Sequence, residues 1–74
     1  MIKREWNFGH TKATVEGDYE TLHLTYEDHF MDIESTFKNR YAMYDVLSNT
    51  DAPKTDVIKY IKENILHEQN KRGV

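Results

Sequence analysis

Over the first 26 residues, apolar side chains recur at every second position. Ile2, Trp6 and Phe8 share one side of an extended chain, with Lys3, Glu5 and Asn7 on the other, and Arg4 interrupts the apolar side. A period of two marks a half-buried strand, because successive side chains leave opposite faces of the pleat. Thr11, Ala13 and Val15 alternate with Lys12, Thr14 and Glu16. Leu22, Leu24 and Tyr26 alternate with Thr21, His23 and Thr25. Gly9-His10 and Gly17-Asp18 read as turns between these runs. The pattern predicts three strands, at about 2–8, 11–16 and 19–26, forming an antiparallel meander with one wet face.

Beyond Tyr26 the spacing changes to threes and fours. Phe30, Ile33, Phe37, Tyr41, Tyr44 and Leu47 fall on one stripe of a helix over about 27–48. Thr25 would cap it, and Glu27, Asp28 and Asp32 would lie near its N-terminus, where the helix dipole favours anions. Ser48-Asn49-Thr50-Asp51 ends the stripe. Pro53 then opens a second helix, about 54–68, whose apolar positions are Val57 or Ile58, Ile61, Ile65 and Leu66. The tail from Asn70 to Val74 is expected to fray. The predicted order is β-β-β-α-α, an α+β fold in which two helices cover one face of a small sheet.

The chain has 74 residues, so it is read as one domain, 1–74, with a core that is marginal at this size. Self-association, as a homodimer, would supplement such a core. There is no Cys, hence no disulfide framework and no thiolate ligand or nucleophile, which fits a reducing cytoplasm. The N-terminus lacks an apolar signal segment and no apolar run reaches membrane-spanning length, so no membrane partner is expected. The three Gly residues are too scattered for a phosphate-binding loop, and neither G-x-S-x-G nor H-E-x-x-H occurs. Asp28, His29 and Asp32 are the nearest approach to a metal-ligand cluster. On a helix only the two aspartates would share a side, so neither a metal nor a cofactor is expected. Paired carboxylates need an enclosing pocket to act as acid and base, and a chain this short rarely builds one. The expectation is a binding protein and not an enzyme.

Charge distribution is more informative than the net charge of −3. Residues 13–37 contain Glu16, Asp18, Glu20, Glu27, Asp28, Asp32 and Glu34 and no Lys or Arg. On the wheel of the first predicted helix, Glu27, Glu34 and Asp45 nearly coincide. Asp28, Asp32 and the two methionines Met31 and Met43 fall on the same outer half. Carboxylates one helical turn apart can imitate a run of phosphates and engage a basic DNA-binding surface. The expected partner-binding residues are Asp18, Glu20, Glu27, Asp28, Met31, Asp32, Glu34 and Asp45. The plainer alternative is an ordinary solvated helix face whose acids cluster at the N-terminus for local reasons. Direct nucleic-acid binding is not expected, because Lys54, Lys59 and Lys62 are interleaved with Asp56 and Glu63.

A short Cys-free chain with segregated charge and the central segment Tyr26-Glu27-Asp28-His29-Phe30-Met31-Asp32-Ile33-Glu34 resembles the small host-takeover inhibitors of large phages that infect Gram-positive bacteria, in particular the sliding-clamp inhibitors of Twort-like staphylococcal phages. The resemblance implies a phage-encoded inhibitor acting in the host cytoplasm, one that occupies the positively charged DNA channel of the clamp as a dimer and blocks replication. A related class covers the DNA-binding surface of the nucleoid protein HU. No Q-L-x-L-F-type clamp-binding peptide is present, which favours channel occupation over competition at the peptide pocket.

Overall fold

Short turns at three places set the register of a four-stranded antiparallel sheet. In the computed structural model, which describes residues 1–72, the strands are β1 (Ile2–Phe8), β2 (Thr11–Gly17), β3 (Thr21–Glu27) and β4 (Asp32–Lys38), in the spatial order β1-β2-β3-β4. Two helices follow, α1 (Tyr41–Asn49) and α2 (Lys54–Arg72). Phe8 pairs with Thr11 across Gly9-His10, and Gly9 sits at φ +60°, a conformation glycine adopts without a Cβ penalty. The other two turns are built alike. The N–H of Asp18 donates to the Thr21 carbonyl, and the N–H of Asp28 donates to that of Met31. In each case the aspartate carboxylate also accepts the two N–H groups across the turn, those of Glu20 and Thr21 or of Phe30 and Met31, at 2.7–3.0 Å. Such self-capping is why Asp favours turns.

The core lies between one face of the sheet and the helices. Ala13, Val15, Leu22 and Leu24 from the central strands meet Ile61 and Ile65 of α2, and all six are fully buried. Helix α2 packs across all four strands, and Leu47 and Met43 of α1 join the same cluster. Pro53 precedes α2, and its carbonyl accepts the N–H groups of Asp56 and Val57. Arg4, the residue that breaks the apolar side of β1, has a tertiary task. Its guanidinium donates to the carbonyl of Leu47 at 2.8 Å and lies 4.8 Å over the Trp6 ring. It thereby satisfies a carbonyl at the end of α1, where the dipole favours a cation. Among the described residues, no element covers the opposite face of the sheet. Lys3, Glu5, Glu16, Glu27, Asp32 and Glu34 are exposed on it. Among the described residues, no helix is long and apolar enough to cross a membrane.

The α+β class and the order of sheet before helices hold, but the sheet has four strands. Residues 32–38, expected in a long helix, form β4, and α1 is only nine residues long. Steps of four are compatible with a period of two as well as 3.6, so Ile33 and Phe37 fit either element. The inward residue between them is Ser35, buried at 7% exposure, and its polarity hid the alternation. Several assignments change with it. Thr25 is not a helix cap but a mid-strand residue hydrogen-bonded to Thr14. Phe30, placed on the apolar stripe, is 93% exposed in the β3–β4 turn, and Tyr41 is 65% exposed. Met43, placed outward, is buried. Helix α2 continues through Asn70 to Arg72 where fraying was expected, and residues 73–74 lie outside the described residues.

Candidate functional site

The eight expected partner-binding residues, six of them placed on one helix face and Asp18 and Glu20 ahead of it, divide between the two ends of the molecule. The β1–β2 and β3–β4 turns lie at one end, with Glu27, Asp28, Met31 and Asp32 there and Glu34 further along β4. The β2–β3 turn lies at the other end, with Asp18 and Glu20, and α1 supplies Asp45. Seven-residue strands hold the two ends about 20 Å apart. The common acidic helix face is therefore replaced by two separate groups.

At the first end, Glu27 stands directly opposite Asp32 on the open face of the sheet, and both are exposed. Lys12 faces Glu27 from β2, but its Nζ lies 3.0 Å from the carboxylate of Glu5. That bond holds the Glu5 carboxyl below its ordinary range and the Lys12 ammonium above its own. Among the described residues, no cation lies within ion-pair distance of Glu27 or Asp32. Like charges directly opposite one another on a sheet are destabilising. Glu34, opposite Thr25, reaches His23 Nε2 at 3.0 Å, and the Nδ1 of that imidazole meets the Thr36 hydroxyl.

Asp28 is not available in the same way. Its carboxylate accepts the Tyr26 hydroxyl and the N–H groups of Phe30 and Met31, and these bonds, led by that of Tyr26, hold it below its ordinary range. Met31 is half-buried against the core. Tyr26 is itself buried, and burial first, then the Asp28 carboxylate, push its phenol up to about 12. The sign of the resulting pH dependence is fixed. A raised phenol favours the neutral ring in the folded state, so its contribution is complete below pH 10 and is lost as pH climbs toward 12. The depressed Asp28 contributes above the ordinary carboxylate value and loses that contribution as pH falls below it. Denaturant titrations across pH should show stability falling on the alkaline side in step with tyrosinate absorbance, and Tyr26→Phe should flatten that limb. An alkaline limb unchanged in Tyr26→Phe would disprove the assignment.

At the other end, Asp18 is occupied by its turn, while the Glu20 side chain is exposed and the Asp45 carboxylate accepts the side-chain amide N–H of Asn49. The N–H groups of Asn39 and Arg40 donate to the carbonyls of Glu20 and Tyr19, which ties the start of α1 to the β2–β3 turn. This tie gathers Tyr19, Tyr41 and Tyr44, with ring centroids 5.7–6.5 Å apart. Helical periodicity assigns Tyr41 and Tyr44 to the core, and Tyr44 is indeed half-buried against it; contact between a hairpin turn and a helix leaves no periodic signal, so the cluster is not visible in the chain.

A shallow apolar cleft of about 410 Å³ lies between α2 and the β1–β2 end, walled by Phe8, Tyr26, Ile58 and Leu66 and edged by Lys59 and Lys62. Among the described residues, no three His, Cys, Asp or Glu side chains converge as metal ligands. Comparison with family models, curated proteins and solved structures yields no match.

Proposed function

We propose that this chain is a non-enzymatic protein-binding domain that docks the open face of its sheet, acidic end first, onto a basic DNA-binding protein. The observation that carries this reading is the Glu27–Asp32 pair: two carboxylates face each other, the cation across from Glu27, Lys12, is bonded to Glu5 and feels Glu27 only at longer range, and no element among the described residues covers this sheet face. Elsewhere on that face the charges balance locally, Lys3 with Glu16 and Lys12 with Glu5. A basic partner relieves the repulsion at the β3–β4 end and gains by shedding counterions. The resemblance to phage host-takeover inhibitors supplies the lead target, the bacterial sliding clamp, whose DNA channel is basic; HU is the alternative. On this reading the protein acts in the bacterial cytoplasm and blocks replication, and the docking surface is a sheet in place of the acidic helix first expected.

The test is titration of immobilised protein with a purified Gram-positive sliding clamp, and separately with HU, at low and moderate salt. Glu27→Lys combined with Asp32→Lys is expected to weaken binding more than about tenfold. Both side chains are exposed, so thermal stability should be nearly unchanged. Equal affinity of variant and wild type would remove the acidic end from the interface.

A second reading is favoured by Phe30 and Phe8, 93% and 60% exposed and both at this end of the molecule. A small regulatory module, dimeric or bound to another protein, would use them as apolar anchors, with the acids only solvating the surface. Binding of that kind barely responds to salt, whereas electrostatic docking weakens steeply.

A further inference from the structure

We infer that the Tyr19–Tyr41–Tyr44 cluster is a recognition site for an arginine side chain of the partner. The inference deepens the proposed docking on a basic protein and adds a second anchor, at the far end of the molecule from Glu27 and Asp32. Tyr19 and Tyr41 are 45% and 65% exposed, although three aromatic rings in mutual contact could have been buried. Tyr19 meets both other rings edge to face, at 64° and 77°, so ring faces of differing orientation converge on one spot. Aromatic faces carry negative electrostatic potential and attract cations, and a planar guanidinium both stacks on them and donates hydrogen bonds.

Two carboxylates of the matching sign flank the cluster, and one cation, the exposed Lys38 opposite Thr21, closes β4 at the same end. Glu20 sits beside Tyr19 in the turn, and Asp45 lies one helical turn after Tyr41 on the same side of α1. Arg40, next to Tyr41 in the chain, is engaged elsewhere: its guanidinium lies 3.7 Å from Glu68 and 5.5 Å over the Phe37 ring. The cluster is also pre-organised. The two backbone hydrogen bonds from Asn39 and Arg40 to the turn hold it, and Asn39 makes the corner at φ +57°, a left-handed conformation that asparagine tolerates. A rigid anchor loses little side-chain freedom on binding.

The experiment is a titration of the full chain, with aromatic ring signals followed by NMR, using acetyl-Gly-Arg-Gly-amide as probe and acetyl-Gly-norleucine-Gly-amide as its uncharged counterpart. Saturable shifts of the Tyr19, Tyr41 and Tyr44 rings with the arginine peptide only, weakened about fivefold in Tyr41→Ala at unchanged thermal stability, are expected for one exposed cation–π contact. An equal response to both peptides, a response confined to residues near Glu27 and Asp32, or one unaltered in Tyr41→Ala would overturn the inference. The readout is independent of the sliding clamp. Failure of the clamp to bind with the tyrosine response intact rejects the proposed target and leaves the arginine site standing.

Discussion

Gly17→Ala is expected to be among the most damaging small substitutions in the chain. Gly17 ends β2 at φ +123°, a conformation that residues with a Cβ rarely adopt. An added Cβ would lie 2.1 Å from the carbonyl oxygen of Thr21 and 3.2 Å from its carbon. These are backbone atoms, so no rotamer change relieves the overlap. Moving them breaks the Asp18–Thr21 turn bond and the Gly17–Leu22 pair that set the register of β2 on β3. A loss of about 3 kcal/mol or more follows from strain and clash together. In a domain of this size that lowers Tm by about 12 °C or more. Gly9→Ala is the control. Gly9 also has positive φ, at +60°, but its added Cβ meets nothing within 4 Å. The cost there is the left-handed penalty alone, about 1 kcal/mol. Parallel thermal melts decide the matter, and equal Tm values for the two variants would refute the steric argument.

Ile61→Ala is expected to cost about 3 kcal/mol, through lost burial and the cavity left behind. Ile61 is fully buried at the middle of α2, the helix that packs across all four strands, so no neighbouring loop can collapse into the gap. Paired with it, Phe30→Ser tests the fold itself. Phe30 is 93% exposed at the β3–β4 turn, and its replacement should shift stability by no more than about 0.5 kcal/mol. Were residues 27–48 one helix with Phe30 on its apolar stripe, the same change would cost about 3–5 kcal/mol. Urea unfolding of both variants separates the two architectures directly.

The strands β1 to β3 and the helix α2 were legible in the chain, because each carries a local period with little ambiguity. Trp6, Ala13, Val15, Leu22 and Leu24 alternate strictly with polar residues, and Ile61 and Ile65 recur at helical spacing after a proline start. The two aspartates of the turns were read as binding residues, since nothing in the chain shows that their carboxylates are consumed by their own backbone N–H groups. Arg4 read as a defect in β1 because its acceptor, the carbonyl of Leu47, lies 43 residues away.

The fourth strand shows where local reading stops. Ile33 and Phe37 are four residues apart, a spacing that a strand and a helix satisfy equally, and Ser35 between them gives no apolar mark. Pairing with β3 settles the choice, through Leu22 with Phe37, Leu24 with Ser35 and Tyr26 with Ile33. Those hydrogen bonds exist only once β3 is in place, and the burial of Phe37 and the partial burial of Ile33 need α2 overhead. The same non-local step rearranged the surface. Composition alone establishes that the middle of the chain is acidic and carries no Lys or Arg from 13 to 37. Which of its carboxylates face each other, which cap turns and which share an end with exposed tyrosines follows from how hairpins fold back, because strand reversal brings together residues that one-dimensional spacing keeps apart.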